Sequence, residues 1–205
     1  MLRFLLRWVA VLLLSVVALV LVLSLLRNIT HGFAAAPAVS GSLFVSTAPA
    51  PAASLSSVLG RPSLSAAFIN RVLTVYHSPA VGLGQAMVAD SVRFGIDDVF
   101  ALAFFFHESQ FGRLGVAAFT HSVGNIVCSA GYPSCDGRFR SYASWQAGCF
   151  DWFRLIASVY VPRGLTTVER IVPVYAPASE NNVSAYIAAV TSAVASWHAG
   201  RLEVQ

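Results

Sequence analysis

An unbroken apolar run that ends at a histidine and a glutamate dominates the sequence. Eight apolar residues, Val99 to Phe106, follow Asp97-Asp98 and lead directly into His107-Glu108. An acidic pair before such a run predicts a helix with an aspartate N-cap, and apolar residues on nearly all sides predict that this helix is buried. Gly112 predicts the end of the helix, since glycine readily takes the left-handed conformation. We therefore expect residues 97–109 to form a buried helix.

Glu108 is expected near the C-terminal end of that helix, where a negative charge is disfavoured. The C-terminal end of a helix dipole is negative, and the phenylalanines before Glu108 would desolvate its carboxyl group. Glycoside hydrolysis uses a carboxylic acid that keeps its proton near neutral pH, because this acid protonates the leaving oxygen. The sequence thus makes Glu108 a candidate general acid. The alternative is a surface glutamate that points from the last turn into solvent.

The first 27 residues predict a membrane segment. Trp8 to Leu26 is a stretch of 19 uncharged residues, which as a helix crosses a hydrocarbon core of ~30 Å. Arg3 and Arg7 precede this stretch and only Arg27 follows it closely, which predicts a cytoplasmic N-terminus and an exported remainder. We expect a retained single-pass anchor in the cell membrane. A signal peptide cleaved near Ala34-Ala35-Ala36 is the alternative, and the protein would then be secreted.

Composition divides the rest of the chain into a linker and one domain. Residues 28–62 are rich in alanine, proline and serine and lack sustained periodicity, which is typical of a spacer without a core of its own. Residues 63–205 are long enough for one hydrophobic core. Nine of the thirteen arginines lie in this domain and match all nine acidic residues of the chain. The basic character therefore belongs to the first 62 residues and does not indicate nucleic acid as a partner.

The domain is expected to be mostly helical. Periodicity and capping patterns predict helices capped by Ser65, from about Val81 to Phe94, over 97–109, from Ser144 to Tyr160, from the capping-box pattern Thr166–Glu169 to before Pro173, and from Asn182 to His198. Residues 112–143 lose this periodicity and predict loops with a small hairpin. The predicted fold class is α+β, mostly α-helical with a short loop or hairpin lobe, preceded by one transmembrane helix and a linker.

Four segments resemble, in the same order, motifs of the bacterial glucosaminidase (endo-β-N-acetylglucosaminidase) family. They are the histidine-glutamate-serine box at His107–Gly112, an asparagine segment at Gly124–Ile126, a phenylalanine-arginine-x-tyrosine segment at Arg138–Tyr142, and an end motif at Val174–Pro177 followed by Asn181-Asn182 and Tyr186. The resemblance covers nearly all of 63–200. It implies a lysozyme-like fold that cleaves β-1,4 bonds next to N-acetylglucosamine in peptidoglycan glycan strands, with neither a cofactor nor a metal.

The resemblance also implies roles for individual residues. Glu108 becomes the general acid, and Tyr175 matches a tyrosine that lines the catalytic cleft, although a core tyrosine with one hydrogen bond is the alternative. Asn125 is expected to bind or orient the acetamido group of the sugar, or else to cap a loop. Ser109 and Tyr142 are expected to contact substrate as well.

The segment between Asn125 and Phe139 departs from the family pattern. Many members have a longer β-lobe there, which supplies a second carboxylate, and in this chain Asp136 is the available candidate. The alternative for Asp136 is a turn-forming aspartate before Gly137. The stereochemical outcome stays open because it depends on the separation of two carboxyl groups, and transglycosylase activity is a further alternative. His107 is expected to be structural, since successive helix residues face different directions.

Three cysteines lie in the domain that is expected to be exported, where disulfides form. A Cys128–Cys135 bridge would close the loop beside the cleft, and Cys149, on the apolar side of its helix, is expected to be a buried thiol. A Cys135–Cys149 bridge is the alternative. A zinc site that uses His121 is not expected, since the chain has no Cys-x-x-Cys pattern.

Two functions follow from these features. The favoured one is a membrane-anchored peptidoglycan hydrolase that acts in wall growth or remodelling. The alternative is a catalytically weak or silent member that holds glycan strands as a binding module of a wall-synthesis or secretion machine.

Overall fold

The computed structural model describes residues 56–205. The predicted membrane segment at 1–27 and most of the predicted linker lie outside the described residues. Within 56–205, none of the helices combines the length and apolar character that a membrane span requires.

The described part of the chain is mostly helical. Its helices are α1 (Ala66–Val75), α2 (Gly84–Phe94), α3 (Asp98–Ser109), α4 (Ala117–Thr120), α5 (Trp145–Leu155), α6 (Val168–Tyr175) and α7 (Val183–His198). After α5 the chain continues through a π-helical turn, Ile156–Tyr160, and a 3-10 turn, Val161–Arg163. The tight turn α4 was not predicted, and α5 passes into the π-helical turn within the single helix that the sequence predicted from Ser144 to Tyr160.

One small antiparallel sheet lies between α4 and α5. Strand β1 (Cys135–Asp136) pairs with β2 (Phe139–Arg140), with Cys135 opposite Arg140 and Asp136 opposite Phe139. Residues 126–140, which contain this hairpin, are called the hairpin lobe below. Together the helices and the hairpin confirm the coarse prediction of a mostly helical domain with a short hairpin.

Helix α3 forms the centre of the core and packs against α7. The Asp97 side chain caps α3 by accepting a hydrogen bond from the backbone N–H of Val99 at 3.2 Å. The left-handed stop begins at Gln110 and Phe111, with φ of 46° and 59°, before the predicted Gly112. Phe111 is 1% exposed, so core packing holds this conformation. Glycine is needed at 112 because the Trp145 ring occupies the space that a Cβ would fill.

The folded domain begins before residue 63, which corrects the predicted linker boundary. Val58 is fully buried, and its N–H donates to the carbonyl oxygen of Thr166 at 2.9 Å. The carbonyl of Val58 accepts from the N–H of Asp97 at 2.9 Å. The segment 57–59 therefore joins the start of α6 to the start of α3, contacts that its composition did not indicate.

Helix α6 runs through Pro173, although the sequence predicted that it would end before this residue. Proline removes one helical N–H, but Pro173 is exposed while Val168, Ile171 and Val172 are fully buried. The hydrogen bond from Ala176 N–H to the carbonyl of Val172, at 2.8 Å, continues the helical pattern beyond the proline. Burial of the apolar side thus offsets the missing bond. The predicted capping box does not form, because Thr167 precedes the helix and makes no side-chain cap.

Candidate active site

A groove of about 430 Å³ lies between the hairpin lobe and a wall formed by the end of α6 and the segment that follows it. One wall consists of Ile126-Val127 and Arg138–Arg140, and the other consists of Val174–Pro177 and Glu180-Asn181. The remaining lining residues are Glu108, Asn125, Leu155 and Tyr160. A groove of this volume is in the range of small-ligand sites.

Glu108 lies at the end of α3 with its half-buried carboxyl group in this groove. Its Oε1 accepts a hydrogen bond of 2.6 Å from the hydroxyl of Tyr186 on α7. Burial raises the pKa of Glu108, and the hydrogen bonds from Tyr186 and Asn125 oppose this shift without cancelling it. The carboxyl group is thus biased toward its protonated form while it faces a space that a ligand can enter.

Asn125 connects the loop after α4 to the end of α3. Its Nδ2 donates to the backbone carbonyl of Glu108 at 2.8 Å and to Oε2 of Glu108 at 3.2 Å. The backbone of Asn125 has a φ of 46°, a left-handed conformation that asparagine tolerates better than most residues. Asn125 lines the groove, and its amide nitrogen orients the candidate acid. A contact with a sugar acetamido group remains a prediction.

Tyr175 also lines the groove, at the end of α6. Its hydroxyl donates to the carbonyl oxygen of Gly124, and a Cβ at Gly124 would lie 2.6 Å from Cδ1 of Trp152 and 2.9 Å from the Tyr175 hydroxyl oxygen. Burial is the main cause that raises the pKa of Tyr175 well above its usual range, and the nearby Glu108 charge is the second cause. Tyr175 therefore holds the loop that carries Asn125 and remains a neutral phenol.

Ser109 and Tyr142, which were predicted to contact substrate, are not among the residues that line the groove. Ser109 is 2% exposed, and its hydroxyl donates to the carbonyl of Val123 at 2.8 Å and accepts from the N–H of Gly112 at 2.8 Å. The Tyr142 hydroxyl donates to Oδ2 of Asp151 at 2.7 Å. Both hydroxyl groups hold structural elements together instead.

Asp136 is exposed on β1 and does not line the groove. Its expected position as the second carboxylate of the cleft is therefore not seen. Glu180, in the loop between α6 and α7, lines the groove instead. Sequence reasoning missed Glu180 because a single glutamate in a polar loop gives no signal of the groove it borders.

Asp151 on α5 holds the hairpin lobe through hydrogen bonds to two of its side chains, Tyr132 and Arg140. This aspartate is 4% exposed, and its Oδ2 accepts from Arg140 at 2.8 Å, Tyr142 at 2.7 Å and Tyr132 at 3.3 Å. Arg154 donates to Oδ1 from Nε at 2.8 Å. Burial raises the pKa of Asp151, but the bonds from Tyr142, Arg140 and Arg154 outweigh it and lower the pKa. The ionised carboxylate thus fixes Arg140, a lining residue of the groove.

The pairing of Tyr186 with Glu108 was also missed. Tyr186 is buried on α7, and a buried tyrosine hydroxyl needs a hydrogen-bond partner. The two residues are 78 positions apart, so no local pattern identified that partner. His107, the neighbour of Glu108, is exposed, and its ring lies against Tyr186 with 3.8 Å between ring centroids.

The lobe contains a disulfide between Cys128 and Cys135, while Cys149 is a buried free thiol. This is the pairing that the sequence favoured over Cys135–Cys149. In the part of the chain that the structure describes, no three His, Cys, Asp or Glu side chains form a group that could hold a metal ion.

These features define a small, mostly helical α+β domain with a protonatable glutamate beside an open groove. No protein-family model matches the chain, and the search of curated proteins found no match either.

Proposed function

We propose that this protein is a peptidoglycan hydrolase that cleaves β-1,4 glycosidic bonds next to N-acetylglucosamine, with Glu108 as the general acid. One observation carries the proposal. The Glu108 carboxyl group is half-buried, has its pKa raised by burial, accepts a hydrogen bond from Tyr186 and lines an open groove of about 430 Å³.

The chemistry needs a proton donor more than any other group. Cleavage of a glycosidic bond leaves an oxygen that must gain a proton, and a carboxyl group with a raised pKa supplies it at a pH where an ordinary glutamate is ionised. Lining residues such as Val127 and Phe139 offer apolar surface, while Asn125 and Arg138 offer hydrogen-bond donors. This mixture suits a sugar, which has apolar faces and polar edges.

The resemblance to the glucosaminidase family also supports the proposal. Residues from the four family-like segments meet at one groove, where Glu108, Asn125, Arg138–Arg140 and Val174–Pro177 are all lining residues. Random motif matches far apart in sequence have no reason to converge in this way. A lysozyme-like arrangement of the helices, anchoring to the cell membrane through residues 1–27 and an extracytoplasmic domain are parts of the same proposal.

A second candidate is a silent module that binds glycan strands for a larger wall-synthesis or secretion machine. The observation that favours it is the position of Asp136, which is exposed and outside the groove. A groove that contains a general acid but no second catalytic carboxylate would bind a glycan without cleaving it efficiently.

Turnover of purified sacculi by the full-length chain in mild detergent separates the two candidates. The hydrolase releases soluble fragments with new reducing ends at N-acetylglucosamine, whereas a transglycosylase releases fragments that end in a non-reducing anhydro sugar, and mass spectrometry distinguishes the two products. Cosedimentation with sacculi without release of fragments favours the binding module. A chain that neither binds nor cleaves sacculi contradicts both.

A further inference from the structure

An ion pair links the two walls of the groove. Arg138, in the turn between β1 and β2, donates from Nη2 to Oε2 of Glu180 at 2.8 Å. Both residues line the groove. Their side chains are 56% and 48% exposed, so the pair is in contact with water at the edge of the groove.

The stabilising effect of this pair is too small for a clasp that keeps the groove closed. Ion pairs between exposed side chains contribute little, because water screens the charges and two long side chains must be ordered. A contribution of that size changes the ratio of closed to open groove by at most about fivefold. The ion pair therefore matters less for holding the groove closed than for where it holds the Glu180 carboxylate.

Among the described residues, Glu108 and Glu180 are the two that bring carboxyl groups to the groove, and their environments contrast. Glu108 is half-buried between Tyr186 and Asn125, whereas Glu180 is exposed beside a guanidinium group. Two carboxyl groups in contrasting environments are the arrangement in which one donates a proton and the other accepts one.

We propose that Glu180 is the second carboxylate of the site, which takes a proton from the attacking water, and that Arg138 positions it. This inference rests on the proposed function. Water forms a new bond to the anomeric carbon and gives one proton to Glu180, while the bond from that carbon to the leaving oxygen breaks and Glu108 protonates this oxygen. One water is consumed, and Glu180 returns its proton to solvent as Glu108 regains one.

The test compares variants of the full-length chain on purified sacculi. Glu180→Ala should lower kcat by ~10²–10⁴-fold. Sodium azide should restore turnover to Glu180→Ala and yield a glycosyl azide detectable by mass spectrometry, because azide attacks without losing a proton. Azide should not rescue Glu108→Gln, which still lacks the proton for the leaving oxygen. Arg138→Ala should lower kcat by at most about fivefold.

Glu203→Ala is the matched control, because Glu203 is exposed and does not line the groove; it should retain wild-type activity. Wild-type kcat in Glu180→Ala beside an inactive Glu108→Gln overturns this inference and leaves the proposed function standing. Higher activity in both Arg138→Ala and Glu180→Ala also overturns it, because the pair would then act as a closure. An inactive wild type, or an active Glu108→Gln, contradicts the proposed function and this inference with it.

Discussion

The protonation of Glu108 depends on opposing contributions from its surroundings. Burial favours the neutral carboxyl group and raises the pKa, whereas hydrogen bonds from Tyr186 and Asn125 favour the carboxylate and lower it. The Tyr186 bond is short, at 2.6 Å, and comes from a residue that is 2% exposed. Tyr186 therefore tunes the acid from a fixed position.

Tyr186→Phe should raise the pKa of Glu108 further, because it removes a donor that stabilises the charged form and leaves the burial in place. The alkaline limb of the kcat/KM profile should move to higher pH. NMR titration of the labelled Glu108 carboxyl carbon should show the same direction without any activity assay. Tyr142→Phe is the matched control, since its hydroxyl donates to Asp151, and it should leave the titration unchanged. A Glu108 titration that is unchanged or moves to lower pH in Tyr186→Phe contradicts this account.

Among the elements, the hairpin lobe depends most on a single buried charge. Strands β1 and β2 contain two residues each, too few to be stable alone. The Arg140 side chain, 10% exposed, pairs with Asp151, whose side chain is 6% exposed. The lobe and its wall of the groove are therefore fixed to α5 through this pair.

Asp151→Asn should lower the free energy of unfolding by about 3–5 kcal/mol, because it leaves the buried Arg140 guanidinium without a counter-charge. The Arg154 side chain, which pairs with the same carboxylate, is 49% exposed. Arg154→Ala should therefore lower the free energy of unfolding by only about 0–1 kcal/mol. Urea denaturation of both variants measures the difference. Equal losses in the two variants would show that Asp151 does not act through Arg140.

Elements that depend on local pattern were predictable from the sequence, and those that depend on distant contacts were not. Ser65, Asp97, Ser144 and Asn182 all act as N-caps through their side chains, because capping depends on a few adjacent residues. The continuation of α6 through Pro173 and the burial of Val58 depend on packing against remote parts of the chain. Composition and periodicity do not indicate such contacts, because both describe only neighbouring residues in the sequence.

At the scale of the whole molecule, the sequence predicted some of the residues that line the groove and misplaced others. Glu108, Asn125 and Tyr175 all line the groove, whereas Ser109 and Asp136 do not. Ser109 is one residue beyond Glu108, and about 100° of rotation on a helix turns its side chain into the core. Asp136 is exposed on its strand, and neither its spacing nor its turn-like context indicates on which side of the lobe the groove lies.

The groove unites segments that span residues 108–181, so the proposed activity belongs to the assembled domain. The charge balance of residues 63–205, with nine arginines and nine acidic residues, gives no general attraction to a polyanion. Recognition of a glycan strand would instead rely on the shape and hydrogen-bond donors of the groove.

In the proposed reaction the Glu108 proton reaches the glycosidic oxygen, and Glu108→Gln in the full-length chain tests this transfer. Glutamine keeps the size of the side chain and accepts the Tyr186 hydrogen bond, but it has no acidic proton. The rate of release of reducing ends from sacculi should fall by ~10²–10⁴-fold, with binding and unfolding temperature retained and with Glu203→Gln at the wild-type rate. A folded Glu108→Gln chain that cleaves sacculi as fast as the wild type would contradict the account.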